Sequence, residues 1–128
     1  MSDTVGAENG KRVLLTEDEI LIGMDLAMML EDWGYVVDGP HGSSRQAMEA
    51  LNLNAPDLAI LDVNLGNNDT SLPIAQELNK RDAPFIFLTG YNPSRYAGDD
   101  VLKNAPHMRK PVQEHALRKL LDEIAQTV

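Results

Sequence analysis

The sequence contains no cysteine, which excludes disulfides, thiolate zinc sites and a cysteine nucleophile, and agrees with a reducing compartment. Positive charge is scarce: 11 Lys and Arg stand against 20 Asp and Glu, a formal net charge of -9. A nucleic-acid footprint needs clustered cations facing the phosphates, so no nucleic-acid partner is expected. Long apolar runs are missing too. Stretches such as Leu58 to Leu61 and Phe85 to Leu88 fall far short of the about 20 residues that span a bilayer, so a soluble, cytoplasmic chain with no membrane partner is expected. Met1 to Gly10 is small and polar without the apolar core of a secretory signal, and residues 1–10 are expected to form a disordered tail.

What is present suits one compact domain with a real core, expected over residues 11–128: the 128-residue chain is 43% hydrophobic and 24% charged. Val13 to Leu15 is an apolar run ending in acids, and Ile20 to Trp33 places Ile20, Leu21, Met24, Ala27, Met28 and Leu30 near helical spacing. Gly34 stands where a helix-ending glycine belongs, and Tyr35 to Val37 reads as a second strand closed by Gly39-Pro40. Ser43 or Ser44 can cap a second helix with Ala47, Met48, Ala50 and Leu51 on its apolar face. The pattern repeats with a strand over Leu58 to Leu61, a helix over Leu72 to Leu78 and a strand over Phe85 to Leu88. Tyr91 to Asn104 carries Pro93 and Gly98, so its helix is expected to be short, frayed or mobile. Pro106 to Arg109 and Val112 to Ile124 give a last strand and a last amphipathic helix. Five strand-helix pairs imply a doubly wound α/β fold with a five-stranded parallel sheet, because right-handed crossovers put helices on both faces.

In such folds ligands bind beyond the carboxyl ends of the strands. Glu17 and Asp18 follow the first predicted strand, Asp62 the third, Thr89 the fourth and Lys110 the last. Three carboxylates brought together repel one another unless a hard cation sits between them, and Mg2+ is suited to such oxygen ligands. With a cation to stabilise charge, Asp62 can attack phosphorus as a carboxylate nucleophile, giving an aspartyl phosphate. Lys110 suits one phosphoryl oxygen and the Thr89 hydroxyl another. Each residue has a plainer reading: Glu17, Asp18 and Glu19 suit the positive end of the following helix, Asp62 opens a loop, Thr89 ends a strand and Lys110 is a solvated charge. The placement of all of them at strand ends, with none inside a strand, favours a shared site.

The acid pair Glu17-Asp18, Leu61-Asp62-Val63-Asn64, Thr89-Gly90 and Lys110-Pro111 resemble a response-regulator receiver domain over Lys11 to Val128. Their order and spacing, 27 residues from Asp62 to Thr89 and 21 from Thr89 to Lys110, fit that family. The resemblance implies a flavodoxin-like (βα)5, CheY-like fold with strand order 2-1-3-4-5. It further implies phosphorylation of Asp62 by a histidine kinase or phosphotransfer protein with Mg2+. Asp18 and Asp62 would ligate the metal, Glu17 mainly through water, and Asn64 through its backbone carbonyl. Pro84 to Tyr91 is similar to an alphaproteobacterial subset with a Pro-Phe-x-Phe-Ala-Thr-Gly-Tyr signature, with Leu88 in place of the usual Ala. That subset often works with kinases of the HWE or HisKA2 type. His107 stands where the family's aromatic switch residue is usual, so Thr89, Tyr91 and His107 are the candidate switch and output residues.

The expected mechanism is local: charge added at Asp62 draws in Lys110 and Thr89 and shifts the segment from Thr89 to Asn104. As a single-domain regulator, the chain would signal through an unknown downstream protein, by competing for phosphate as a sink, or by dimerisation. The polar loop Gly66 to Asp69 is expected to be mobile, with Asp69 outside the site. Two rivals remain. A Mg2+-dependent small-molecule phosphohydrolase would also use Asp62 but lacks a second acid at Asn64, and a flavodoxin-like cofactor binder would need a Gly-rich first loop where this one is acidic.

Overall fold

The apolar runs become five parallel strands in a computed structural model that describes residues 10–90 and 105–125. They are β1 (Arg12–Thr16), β2 (Val36–His41), β3 (Leu58–Asp62), β4 (Phe85–Thr89) and β5 (His107–Arg109), hydrogen-bonded in the order β2-β1-β3-β4-β5. Four helices accompany them among the described residues: α1 (Ile20–Asp32), α2 (Ser44–Leu53), α3 (Leu72–Lys80) and α4 (Glu114–Ala125). The doubly wound α/β sheet with order 2-1-3-4-5 is therefore the observed fold. The short helix expected over Tyr91 to Asn104 and the tail before Gly10 lie outside the described residues.

β3 and β4 are buried along their whole length, as near-continuous apolar strands require when both sheet faces are covered. One face packs Leu14, Leu61 and Phe87 against Leu51 of α2 and Ile74 and Leu78 of α3. The other packs Leu15, Ile60 and Leu88 against Leu26 and Leu30 of α1 and Leu117 and Leu121 of α4. Each such side chain, fully buried, contributes roughly 1.5–3 kcal/mol of transfer free energy.

Local chemistry sets the helix ends. Gly34, at φ 96°, reverses the chain after α1, where Tyr35 N–H donates to Leu30 O at 3.1 Å and Gly34 N–H to Glu31 O at 3.0 Å. Ser43 caps α2, its hydroxyl accepting from Gln46 N–H at 3.2 Å, while the Gln46 side chain returns to Gly42 N–H at 3.1 Å.

Several sequence expectations change. Gly39-Pro40 does not close β2; the strand continues to His41, because β2 is an edge strand where a proline without an N–H is tolerated and the register against β1 shifts there. Gly10, at the edge of the expected tail, donates its N–H to Gly34 O at 3.0 Å. The last helix begins at Glu114 rather than Val112, and β5 begins at His107 rather than Pro106. The apolar set that reveals α1 is divided by the fold: Ile20, Leu21, Met24 and Met28 are exposed, while Leu30 is buried together with Gly23 and Leu26. A helix apolar on nearly every side does not disclose from periodicity which stripe meets the sheet.

Gly23 explains how α1 lies so close to β2. A Cβ there would stand 2.8 Å from Pro40 Cγ and 3.5 Å from Glu17 Cβ. Gly23→Ala adds helix propensity of at most about 1 kcal/mol but overpacks this contact by about 1–3 kcal/mol. The substitution is expected to lower stability by about 1 kcal/mol, read as a lower urea midpoint at unchanged m-value.

Candidate functional site

All five strands run parallel, so their carboxyl ends share one edge of the sheet, and the side chains there are held from several directions. Thr16, the last residue of β1, accepts the Asp62 N–H on its hydroxyl at 3.0 Å, tying the end of β3 to that of β1. Asp62 and Glu17 are buried at 4% and 3% exposure, and Asp18 is exposed beside them. Lys110, just past β5, places its Nζ 2.9 Å from Asp62 Oδ2 and 2.8 Å from Glu17 Oε1. The other Glu17 oxygen accepts from Glu19 N–H at 3.2 Å, so the acid also steadies the start of α1. Thr89 is buried at the end of β4, and among the described residues its hydroxyl has no hydrogen-bond partner.

One oxygen from each of Glu17, Asp18 and Asp62 lies within 4.8 Å of the others. Oxygen-only donors at this spacing match a hard divalent cation. Gly66 keeps the approach to Asp18 open, since a Cβ on it would meet Asp18 Oδ2 at 3.1 Å. Burial is the largest influence on Asp62 and pushes its carboxyl from an ordinary 3.8 up to about 7; the Lys110 ammonium pulls it down and the Glu17 charge adds to the rise. Burial acts to lower Lys110, but Glu17 and Asp62 outweigh it and raise the ammonium above its ordinary range.

A family described as the response regulator receiver domain matches residues 13–122. The chain belongs to the response regulator receiver family. Over 82 residues this receiver is 42% identical to the transcriptional regulatory protein PdtaR of Mycobacterium tuberculosis, covering 64% of the chain and 40% of that protein. It therefore spans less than half the length of that relative. The solution structure of the PhyR receiver domain from Erythrobacter litoralis is 29% identical with a TM-score of 0.79, over 92% of each chain. The chemotaxis protein CheY4 of Vibrio cholerae shares the fold at 23% identity and a TM-score of 0.75, over 90% of this receiver and 98% of that chain.

The fold thus brings Glu17, Asp18, Asp62, Thr89 and Lys110 to one edge. Asn64 sits at the loop's start, with its side-chain oxygen accepting Gly66 N–H at 3.1 Å. His107 is half-buried in β5, its ring 5.5 Å from that of Phe87. Tyr91 lies outside the described residues. The loop from Gly66 to Asp69 forms a hydrogen-bonded turn: Leu65 N–H donates to Asp69 O at 2.9 Å, Asp69 N–H to Gly66 O at 2.7 Å, and Asn64 bridges to Thr70. Asp69 is not one of the three clustered acids; it accepts from Ser44 N–H and Oγ. Sequence reasoning missed the bond from Thr16 and the link between Ser44 and Asp69, since partners 46 and 25 residues apart leave no local pattern. Among the described residues, no helix is long and apolar enough to cross a membrane.

The raised Asp62 value has a definite sign. The folded carboxyl holds its proton more tightly than the unfolded one, so its contribution to stability is fully present below about pH 4 and is lost as pH rises through about 7. Without divalent cations, Asp62→Asn is expected to be more stable than wild type, with an advantage that grows from about pH 5 to about pH 8. Urea midpoints across that range check it; a constant difference would show that Asp62 ionises freely in the fold.

Proposed function

We propose that this receiver takes a phosphoryl group onto Asp62 from a phosphohistidine and passes the resulting change to another protein. The observation that carries the reading is a buried carboxylate at a strand end, held by Lys110 at 2.9 Å beside Thr89 and two further acids. In the step, an Asp62 oxygen forms a bond to phosphorus while the P–N bond of the donor breaks. The bonding pair returns to the imidazole nitrogen, so atoms and charge balance.

Lys110 is placed to follow the negative charge from Asp62 onto a phosphoryl oxygen, and the Thr89 hydroxyl, without a partner among the described residues, donates to another. Asp18 and Asp62 would hold Mg2+, with Glu17 acting mainly through water and the Asn64 backbone carbonyl completing the protein's ligands. Bound there, the ion would offset the acids' repulsion and stabilise charge on the phosphoryl oxygens. Hydrolysis of the acyl phosphate returns Asp62, so the protein catalyses its own cycle and does not turn over small phosphoesters. Asn64, two residues past Asp62, supplies no second acid for such turnover.

A surface on α1 supports a protein partner. Ile20, Leu21, Met24 and Met28 leave an exposed apolar stripe on α1, which begins directly after the acid pair. The charged residues of α1 are all acidic, Asp25, Glu31 and Asp32. A phosphodonor presenting an apolar helix face with basic flanks fits that surface. We assign this donor to a histidine kinase, of the HWE or HisKA2 type, or to a phosphotransfer protein in the cytoplasm. Output runs through Thr89, Tyr91 and His107 to a downstream protein, to phosphate competition or to a dimer; the acidic surface does not favour a direct nucleic-acid target.

Incubation with acetyl phosphate and Mg2+ is expected to add one labile phosphoryl mass to the intact chain. Asp62→Ala and chelator should each reduce the adduct to background, and Thr89→Ala should slow its formation while leaving the same adduct. Persistence of the adduct in Asp62→Ala would overturn the assignment. Reversal of charge on the stripe's rim, Asp25→Lys, should leave acetyl phosphate labelling unchanged.

A further inference from the structure

Resting on the cation site proposed above, we infer that Ser44 and Asp69 form a positioning clamp that sets the affinity of that site from the far side of its loop. The clamp is tight and uses both carboxylate oxygens: Ser44 N–H donates to Asp69 Oδ2 at 2.8 Å, and Ser44 Oγ–H donates to Asp69 Oδ1 at 2.6 Å. Ser44 opens α2, directly after the capping residue Ser43, so a helix of 10 residues packed on the core anchors one end.

At the other end the clamp holds a turn that would not keep its shape alone. Gly66, Asn67 and Asn68 stand in succession at φ 78°, 48° and 62°, the left-handed region. Glycine enters it freely and asparagine tolerates it, but successive residues there are disfavoured without outside support. Asp69 is the residue at which the turn returns. Its backbone closes the loop through Gly66 O and to Leu65 N–H, and its neighbour Thr70 bridges to Asn64. Asn64 is the residue whose carbonyl is proposed as a metal ligand, and Gly66 lies against Asp18 Oδ2. Fixing Asp69 therefore fixes both the Asn64 backbone and the backbone beside Asp18.

The same bonds settle an electrostatic question. Asp69 is a further acid in the loop that follows Asp62, five residues past Asn64. Ser44 and the positive end of α2 engage it, keeping it out of the acidic cluster. Partners that hydrogen-bond the ligands directly set metal affinity by about 10- to 100-fold, and the Ser44–Asp69 pair acts from further back through the loop backbone, so the lower end of that range is expected.

The test is a calorimetric Mg2+ titration of the full chain, which reads binding without phosphorylation. Ser44→Ala is expected to weaken Mg2+ by about tenfold, and Ser44→Thr, which keeps the hydroxyl, to restore it. Ser43→Ala is the control: it removes a hydrogen bond at the same helix end, from Gln46 N–H, without touching the loop, and is expected to bind like wild type. Asp69→Asn approaches the pair from the other side and is expected to weaken Mg2+ should Ser44→Ala fold poorly. Wild-type affinity in Ser44→Ala, or equal weakening in Ser43→Ala, overturns the clamp and leaves the cation site standing. A wild-type chain that binds no Mg2+ overturns the cation site and the clamp together.

Discussion

Like charges at a sheet edge repel, and among the described residues the Lys110 ammonium holds that repulsion in check at the functional end of this receiver. Lys110 reaches Asp62 and Glu17 at 2.9 and 2.8 Å, joining the ends of β5, β3 and β1 through side chains. The balance is incomplete, since burial still pushes Asp62 up to about 7. An acid kept this close to neutrality, with a buried hydroxyl at Thr89 nearby, is poised to change its partners when charge is added. The pair is better understood as a device that keeps a reactive arrangement assembled than as a source of stability, because buried ion pairs return little of their desolvation cost.

The scaffold makes such an arrangement affordable. β3 and β4 are buried from end to end, and helices on both faces supply the apolar contacts that stabilise the sheet. The polar chemistry of the site is confined to the last residues of β1, β3 and β4 and to residues just beyond the strands, so it does not interrupt the core. The Thr16 bond to Asp62 N–H shows how closely the two regions join, for the last residue of one strand fixes the reactive residue of the next. Beside that edge, α1 leaves four large apolar side chains exposed among the described residues, a patch of the kind that marks interaction surfaces.

Much of this was legible in the chain. The alternation of apolar runs and helical spacings gave all five strands and the four described helices, because parallel strands must be apolar on both faces and crossover helices on one. Glu17, Asp18, Asp62, Thr89 and Lys110 could be grouped because a parallel sheet sends every strand end to the same edge. Edge behaviour was harder to read. Gly39-Pro40 looked like a stop, yet β2 passes through it, since only its position at the sheet's margin allows a proline there. The exposed stripe of α1 was likewise hidden by its apolar composition, and only packing against β2 through Gly23 chose the buried face.

The sequence by itself determined the fold class, the family resemblance and the set of reactive residue types at strand ends, because local periodicity and order along the chain encode these directly. Tertiary structure alone decided which oxygen meets which donor: Lys110 between two acids, Thr16 on the Asp62 amide, and Ser44 on Asp69. Such contacts join residues 25 to 93 positions apart, and no short pattern records them. They arise when strands pair in register and helices settle on the sheet, a step whose geometry is set by the packing of the whole core.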